Sequence, residues 1–264
     1  MEFWRDVYDA RFQENPEWGN VKDSARVKAQ VDALIAMTDV APTDAVVDLG
    51  CGAGMQLAEL ARRGYTDTLG IEYAQSKADW ACKALANQFP PEQRPEVLQG
   101  DMRGFVPDIQ IDLVTMFDTT FGVFGRTGDA EMLVRILSWL RPGGWLFIEA
   151  LSPFYWATQA QAINHWPDYL DGEVIRHQVY DPESGRLFDQ SYYYDLTKGT
   201  RVAHPPQVLR LYTPAELREM ALEAGFMPGQ LRGDREFELA CPPEEFCARR
   251  SSQMLCSFQK PEVS

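Results

Sequence analysis

The sequence lacks the patterns that mark metal-binding, membrane-spanning or secreted proteins. Only 3 of its 264 residues are histidine, and its 5 cysteines include no pair at Cys-x-x-Cys spacing, so no metal site is expected. No stretch approaches the roughly 18 apolar residues that a membrane span requires. The first residues also lack the basic region and apolar stretch of a secretion signal. We therefore expect a cytoplasmic protein with reduced, buried thiols and no membrane partner.

Positive charge is also scarce. The chain has 25 Lys and Arg residues against 39 Asp and Glu residues, which gives a formal net charge of −14. Proteins that bind nucleic acid obtain much of their affinity from Lys and Arg contacts with phosphates, and this chain has no run of basic residues. A nucleic-acid partner is therefore not expected, and a small-molecule partner is favoured. The sequence gives no indication of the oligomeric state.

What the sequence does contain is a regular alternation of short apolar strands and helices. Strands are predicted at 45–49, 66–72, 97–99, 111–117 and 145–151, and helices at 2–14, 21–37, 55–63, 76–89 and 131–140. This alternation is typical of α/β proteins in which a doubly wound, mostly parallel sheet is covered on both faces. Such sheets bind ligands at the carboxyl ends of their strands, close to the point where the strand order reverses.

The pattern changes at about residue 152. A β-hairpin is predicted around a Pro/Gly turn, and the α/β pattern returns at Thr213, which begins a helix with a capping box. The strands predicted from here on are 173–180, 186–196, 207–212, 226–231 and 253–258. The last two complete a main sheet of seven strands. The predicted parts are N-terminal helices at 1–40 that cover the site, a ligand-binding α/β domain at 41–151 and 212–264, and an antiparallel insert at 152–211 that covers the substrate.

The most informative segment is 46–54, which reads VVDLGCGAG. Alternating glycines directly after a strand allow the backbone to turn sharply and to approach a ligand closely. The N-terminus of the helix that follows favours an anionic group. Two other kinds of glycine loop do not fit. The dinucleotide pattern G-x-G-x-x-G requires glycine where Met55 or Leu57 stands, and the phosphate-binding loop requires a Gly-Lys-Ser/Thr sequence that is absent after Gly54.

The loop resembles the first motif of class I S-adenosylmethionine-dependent methyltransferases, D-x-G-x-G-x-G, and the resemblance extends in order along most of the chain. The segments that match later motifs of the family are GIEY (70–73), QGDM (99–102), MFDTTFGVF (116–124), LRPGG (140–144), RLYTPAEL (210–217) and AGF (224–226). The resemblance implies a Rossmann-like sheet of seven strands and transfer of a methyl group from S-adenosylmethionine.

The same resemblance implies which residues bind the cofactor. Glu72 would accept hydrogen bonds from the ribose diol, Asp101 would accept one from the adenine amino group, and Met102 would pack on the base. The segment after the fourth strand would line the methionine moiety. The cofactor-binding residues implied in this way are Asp48, Gly50, Cys51, Gly52, Gly54, Glu72, Tyr73, Asp101, Met102, Phe117 and Asp118.

The chemistry itself requires little from the protein. Methyl transfer from a sulfonium is an in-line displacement, for which the protein aligns the acceptor with the methyl group and excludes water. No catalytic residue is indicated, although a base would help an amine or hydroxyl acceptor. Base candidates are Asp118, His165, His177, His204 and Tyr8, with surface roles favoured for His177 and His204 and an ordinary polar contact for His165. Residues predicted to contact the acceptor are Trp4, Tyr8, Phe121, Tyr155 and His165.

Some substrate classes and cofactors can be argued against. DTTF (118–121) lacks both prolines of the [DNS]-P-P-[YF] box that adenine and glutamine N-methyltransferases share, and EALS (149–152) lacks the Asp-Asn pair of metal-dependent catechol-type enzymes. A catalytic metal is therefore not expected. The acceptor atom is left open among N, O and C. Two alternatives also stay open: a non-catalytic module that keeps the cofactor fold, and an NAD-dependent oxidoreductase, which Met55 disfavours.

Overall fold

The computed structural model describes residues 24–159, 161–169, 172–235, 239 and 243–262. The helix predicted over 2–14 lies outside these residues, as do Trp4, Tyr8 and the beginning of the helix predicted over 21–37. None of the described helices is long and apolar enough to cross a membrane.

The described elements follow one another in the α/β order that the sequence indicates. The strands are β1 (Val46–Leu49), β2 (Thr68–Glu72), β3 (Glu96–Gln99), β4 (Ile111–Met116), β5 (Leu140–Leu151), β6 (Gln161–Tyr169), β7 (Gly172–Asp181), β8 (Arg186–Asp195), β9 (Thr200–Ala203), β10 (Gln207–Arg210), β11 (Met227–Gly233), β12 (Glu244–Glu245) and β13 (Gln253–Gln259). The helices are α1 (Ser24–Thr38), α2 (Met55–Arg62), α3 (Gln75–Gln88), α4 (Gly125–Trp139), α5 (Pro153–Gln159) and α6 (Pro214–Ala224).

The main sheet has the strand order β12-β11-β13-β5-β4-β1-β2-β3. Strands β1 to β5 are mutually parallel, and β13 runs antiparallel to β5. The predicted doubly wound, mostly parallel sheet is thereby confirmed, with the two-residue β12 as an addition at its edge. The strand order reverses beside β1, which lies between β2 and β4. Ligands of such sheets bind at this switch point, at the carboxyl ends of the strands.

Helices cover both faces of this sheet. On one face, α1 places Val31 and Leu34 in a buried cluster with Leu113 of β4 and Phe147 of β5. On the other face, α4 and α6 contribute to a larger cluster with the opposite side chains of the same strands. Helix α4 begins at Gly125, earlier than the predicted residue 131, because Gly125 and Gly128 are poor helix formers and hide its first turns in the sequence.

Residues 161–210 form a second, antiparallel sheet with the order β10-β8-β7-β6, in which β9 also pairs with β8. The hairpin β7–β8 lies close to its predicted position. Strands β6 and β9 were not predicted. In β6 the sequence contains Pro167, which normally argues against a strand, and the pairing register with β7 shifts between Trp166 and Tyr169, around this proline. Because β6 is an edge strand, it tolerates that interruption.

The second sheet packs against the main one near the carboxyl ends of β4 and β5. Leu187 and Leu209, both almost fully buried, join Val123, Leu151 and Trp156 in one apolar cluster. Val123 follows β4 and Leu151 ends β5. We call the face of the second sheet that carries Leu187 and Leu209 its inner face, and the opposite one its outer face.

Candidate functional site

The glycine loop connects β1 to α2 through three residues in the left-handed region. The φ angles are +71° at Gly50, +56° at Gly52 and +73° at Gly54. The surroundings of the three glycines differ. A Cβ on Gly50 would meet the Thr120 side chain at 2.7 Å, and one on Gly54 would contact Leu85 at 3.4 Å, but one on Gly52 would meet nothing within 4 Å. Gly52 is therefore the glycine of this loop that faces open space beside the N-terminus of α2.

The Glu72 carboxylate fastens the glycine loop to the end of β2. Its Oε2 accepts a hydrogen bond from the Gly52 N–H at 2.8 Å, and its Oε1 accepts one from the Ala74 N–H, also at 2.8 Å. The side chain is 5% exposed. A carboxylate has about four acceptor positions, so these two bonds leave capacity for hydroxyl donors of a ligand. The contact with Gly52 was not predicted from the sequence.

Asp101, directly after β3, is held by a neighbour that the sequence analysis did not single out. Its carboxylate accepts hydrogen bonds from Nη2 of Arg103 at 2.7 Å and from the Arg103 backbone N–H at 3.0 Å. The Arg103 guanidinium lies 4.9 Å from the centre of the Phe124 ring. Arg103 therefore orients Asp101 and connects β3 to the loop after β4. Met102, the next residue, is largely buried in the main core.

The side chains of other residues that were predicted to bind the cofactor contact mainly other residues of the protein. Thr115 donates a hydrogen bond to the buried Asp48 carboxylate at 2.8 Å, which joins β1 to β4. The Cys51 side chain faces Gly70, and burial, followed by the nearby Glu72 carboxylate, raises the pKa of its thiol well above the ordinary value. Phe117 packs against Phe147 with ring centres 5.5 Å apart. The side chains of Cys51 and Phe117 thus belong to the core, and their backbones are what these positions offer a ligand.

Asp118, the first residue after Phe117, has a left-handed backbone that is unusual for a residue other than glycine. Its φ angle is +55°. Its N–H donates to Oε2 of Glu149 at 3.2 Å, and Nε2 of Gln30 lies 3.3 Å from its own Oδ1. Such a conformation costs about 1 kcal/mol or more and persists where the surroundings fix it. Here Glu149 and Gln30 are those surroundings.

Glu149 is the centre of a buried polar network that joins α1 to the strand ends. Its side chain is fully buried, and its carboxylate accepts hydrogen bonds from Arg26 at 2.8 Å and from Gln30 at 2.6 Å. Gln30 in turn accepts one from Gln56, the second residue of α2, at 2.9 Å. The Glu149 carboxylate thus holds α1 and the loop after β4 in fixed positions. Through Gln30 it also holds α2, the helix after the glycine loop.

Each of the five parallel strands carries one carboxylate at or just beyond its carboxyl end. They are Asp48 in β1, Glu72 in β2, Asp101 after β3, Asp118 after β4 and Glu149 in β5. Two of them are paired with arginine, Asp101 with Arg103 and Glu149 with Arg26. The edge keeps an excess of carboxylates, which favours a cationic group such as a sulfonium. Within the described ranges, no three Cys, His, Asp or Glu residues are placed to hold a metal ion.

The loop between β4 and α4 is held in place by hydrogen bonds to the Asp129 side chain. Tyr212 donates its hydroxyl hydrogen to Oδ2 of Asp129 at 2.7 Å, and the backbone N–H groups of Gly122 and Phe124 donate to Oδ1, each at 3.4 Å. Burial raises the pKa of Asp129 to about 6, although these hydrogen bonds oppose the shift. The loop therefore depends on a carboxyl group that titrates close to neutral pH.

This raised pKa predicts a specific pH dependence of stability. In the unfolded chain the Asp129 carboxyl has an ordinary pKa of about 3.9, so the folded state loses stability as pH rises from about 4 to about 6. Relative to Asp129→Asn, which does not titrate, wild type should lose roughly 1–3 kcal/mol of unfolding free energy over this range and then remain level. Urea denaturation of both proteins at several pH values measures the difference. A difference that does not change with pH would contradict the assignment.

The predicted acceptor-contact residues are only partly near the site. Phe121 is 4% exposed and packs on Tyr212 with ring centres 5.4 Å apart, so its side chain is part of the core. Tyr155 lies on α5 and packs on Trp156. His165 is on the outer face of the second sheet, half exposed and 2.7 Å from Glu173, so the structure does not bring it to the site. Trp4 and Tyr8 lie outside the described residues.

The other base candidates are placed differently from one another. His177 lies on the outer face beside Tyr192, in keeping with a surface role. His204, for which a surface role was also favoured, is instead buried, and its Nδ1 is 3.0 Å from the Ser191 hydroxyl. That interpretation of His204 was wrong, because β9, which leads directly into it, was not predicted. Among the described candidates, Asp118 is the one at the carboxyl edge of the main sheet.

Comparisons with known proteins agree with this geometry. Residues 46–144 match the family model of a methyltransferase domain. No curated protein sequence matches the chain. The structure is similar to that of the methyltransferase CcbJ from Streptomyces caelestis, with a TM-score of 0.78 and 19% identity over 100% of both chains.

Two further solved structures are similar over almost their whole length. An S-adenosylmethionine-dependent methyltransferase from Clostridium acetobutylicum has a TM-score of 0.73 and 11% identity, covering 96% of this chain and 97% of that one. The sugar N-methyltransferase KedS8 from a Streptoalloteichus species has a TM-score of 0.66 and 20% identity, covering 97% of this chain and 93% of that one.

The strand order, the glycine loop at the switch point and the acidic strand ends define a class I methyltransferase fold. The matched domain spans β1, the glycine loop and the strand-end residues up to the beginning of β5. Residues 46–144 therefore match a methyltransferase domain, and the chain has the fold of S-adenosylmethionine-dependent methyltransferases.

Proposed function

We propose that this protein is an S-adenosylmethionine-dependent methyltransferase and that it transfers the methyl group to an amine nitrogen of a small, polyhydroxylated acceptor such as an amino sugar. The observation that carries the proposal is the row of five carboxylates along the ligand-binding edge, from Asp48 to Glu149. Such an edge attracts a cationic cofactor and an acceptor that carries an amine. The similar fold of KedS8, whose name describes a sugar N-methyltransferase, supports the same acceptor class.

The residues at the edge suit the different parts of the cofactor. The open space beside Gly52 and the N-terminus of α2 suit the methionine carboxylate. Glu72 has acceptor capacity left for the ribose hydroxyls, and Asp101, oriented by Arg103, suits the adenine amino group. When bound, S-adenosylmethionine supplies an electrophilic methyl group. The remaining cofactor positions proposed from the family motifs are Asp48, Gly50, Cys51, Gly54, Tyr73, Met102, Phe117 and Asp118.

On the acceptor side we assign a proton-accepting role to the Asp118 carboxylate. Its backbone is fixed by Glu149 and its side chain is near Gln30, so its position is defined before an acceptor arrives. An amine attacks as the free base, so it must lose a proton, and the Asp118 carboxylate can accept that proton as a general base. The role of the protein otherwise is to align the amine with the methyl group and to exclude water.

The second sheet supports a polar acceptor. Its inner face carries polar side chains that are almost fully buried, among them Gln178, Asp189 and Ser191. Arg176 forms an ion pair with Asp189 on the same face. Buried polar groups of this kind are expensive in a face that serves only as a hydrophobic cover. We therefore propose residues 152–211 as the acceptor cover and residues 1–40 as a second cover, of which α1 contacts Glu149. The cytoplasm is the proposed location, and nucleic acid is not a proposed partner.

The proposal is tested with isotopically labelled S-adenosylmethionine and matched pairs of acceptors. Each pair consists of an amino sugar and the same sugar with a hydroxyl group in place of the amine; simple amines and phenols extend the panel. Label should transfer to the amine member of at least one pair and not to its hydroxyl partner. Transfer only to hydroxyl members would contradict the amine assignment. Cofactor binding without transfer to any acceptor would favour the non-catalytic module instead.

A further inference from the structure

Gln30 of α1 is a fully buried amide whose hydrogen bonds join four parts of the candidate site. Its Oε1 accepts a hydrogen bond from Nε2 of Gln56 at 2.9 Å. Its Nε2 donates to Oε2 of Glu149 at 2.6 Å and to Oδ1 of Asp118 at 3.3 Å. Gln56 is on α2, Glu149 is on β5 and Asp118 follows β4. One side chain of α1 therefore contacts the helix after the glycine loop and both carboxylates on the acceptor side.

The two carboxylates allow only one orientation of the Gln30 amide. A glutamine amide donates two hydrogens from its nitrogen and accepts at its oxygen. A flipped amide would place its oxygen against the oxygens of Glu149 and Asp118, where no hydrogen bond can form. In the observed orientation each N–H group serves one carboxylate, and the oxygen is bonded to Gln56. Gln30 is thus a fixed donor between two acidic groups.

This donor allows two carboxylates to lie close together in their charged forms. The charge of Glu149 is also offset by Arg26, which lies 2.8 Å away. Without the amide of Gln30, the Asp118 carboxylate would face that of Glu149 with neither of these N–H groups between them. Like charges at such a distance favour protonation of one group or its rotation away from the other. Either change would remove the negative charge of Asp118 from its present position.

We propose that Gln30 is a positioning residue that holds the charged Asp118 carboxylate beside the sulfonium of the cofactor and the amine of the acceptor. This role rests on the proposed function, which places both groups next to the segment after β4. Because Gln30 is fully buried, it acts through Asp118 and not by touching a ligand. Through Gln56 it also connects this carboxylate to the first turn of α2, where we place the methionine carboxylate.

The relative affinity of the site for S-adenosylmethionine and for its demethylated product, S-adenosylhomocysteine, tests this proposal. The first carries a positive sulfonium and the second an uncharged thioether, so a nearby carboxylate attracts the first more strongly. Gln30→Met keeps much of the side-chain volume and removes the donors. Calorimetry should show that the ratio of the two Kd values shifts about tenfold against S-adenosylmethionine in this variant. Partial unfolding would weaken both affinities by the same factor, so it leaves the ratio unchanged.

Asp118→Asn and Thr38→Val are the matched variants. Asp118→Asn should shift the ratio by a similar factor, and adding Gln30→Met to it should cause no further shift, because Gln30 acts through that carboxylate. Thr38 is a buried polar residue at the C-terminal end of the same helix, where its hydroxyl donates to the Leu34 carbonyl at 2.8 Å. Thr38→Val should therefore leave the ratio as in wild type.

Three results would overturn the proposal. They are an unchanged ratio in Gln30→Met, an unchanged ratio in Asp118→Asn, and a second full shift when the two substitutions are combined. The test needs no acceptor and no methyl transfer. Wild type that binds neither compound would contradict the proposed function itself, and with it the role of Gln30, and this result is distinct from an unchanged ratio.

Discussion

Replacing Glu149 by alanine is expected to lower the free energy of unfolding by about 3–5 kcal/mol, because it removes one partner of a buried ion pair. The substitution takes away the acceptor of Arg26, of Gln30 and of the Asp118 backbone N–H in one step. Asp118 then loses the acceptor of its backbone N–H, which is one of the contacts that fix its left-handed conformation. We therefore expect the loop after β4 to lose its defined position and affinity for S-adenosylmethionine to fall. Urea denaturation and calorimetry of the same protein measure the two effects.

The matched control is Glu219→Ala, because Glu219 is an exposed acidic residue on α6. Surface substitutions of this kind usually change stability by no more than about 0.5 kcal/mol. Glu149→Gln is informative in addition, since it keeps the volume and one acceptor oxygen while removing the charge opposite Arg26. A loss of less than about 1 kcal/mol in Glu149→Ala would show that Glu149 does not fix these elements.

The part of the candidate site that is proposed to bind the cofactor could be predicted from the sequence, because its residues lie in short segments. The glycines of 50–54, Glu72 and Asp101 all follow predicted strands, and strand ends meet at one edge of a parallel sheet. The position of Glu149 in the sequence is also informative. A glutamate inside an apolar strand is almost never fully buried unless it is paired. That pattern indicates a buried partner, although it does not say which residue the partner is.

The partners themselves depend on tertiary structure and could not be predicted. Arg26 lies 123 positions before Glu149, and Tyr212 lies 83 positions after Asp129. No local pattern links residues so far apart. The face of the sheet towards which a side chain points also cannot be predicted when its strand is not recognised in the sequence. Strand β6 was not predicted, because it contains Pro167. Without that strand, the alternation of side chains that places His165 on the outer face could not be recognised. His165 was therefore predicted to contact the acceptor.

Gly52→Ala is expected to abolish the stabilisation of the protein by S-adenosylmethionine while the fold survives. The added Cβ would meet no atom of the protein, so steric damage within the chain is not expected. It would enter the open space in which we place the methionine end of the cofactor. Because φ at Gly52 is +56°, alanine should also cost roughly 1–2 kcal/mol of stability through backbone strain alone.

Gly199→Ala separates the strain from the loss of the ligand. Gly199 has a φ of +63°, and a Cβ there would likewise meet nothing within 4 Å, but it lies in the turn between β8 and β9. Both variants should therefore melt earlier than wild type by a similar amount. At a ligand concentration of about 100 Kd, wild type and Gly199→Ala should gain ~2.7 kcal/mol from the cofactor, and Gly52→Ala should gain none.

Calorimetric titration of wild type, Gly52→Ala and Gly199→Ala with S-adenosylmethionine, and of wild type with NAD, tests the central claim most directly. We expect wild type and Gly199→Ala to bind S-adenosylmethionine with the same affinity, and no binding to Gly52→Ala. NAD should give no binding, because Met55 or Leu57 stands where the dinucleotide pattern requires glycine. Binding of S-adenosylmethionine to Gly52→Ala with wild-type affinity, or binding of NAD in its place, would contradict the assignment of the cofactor to the glycine loop.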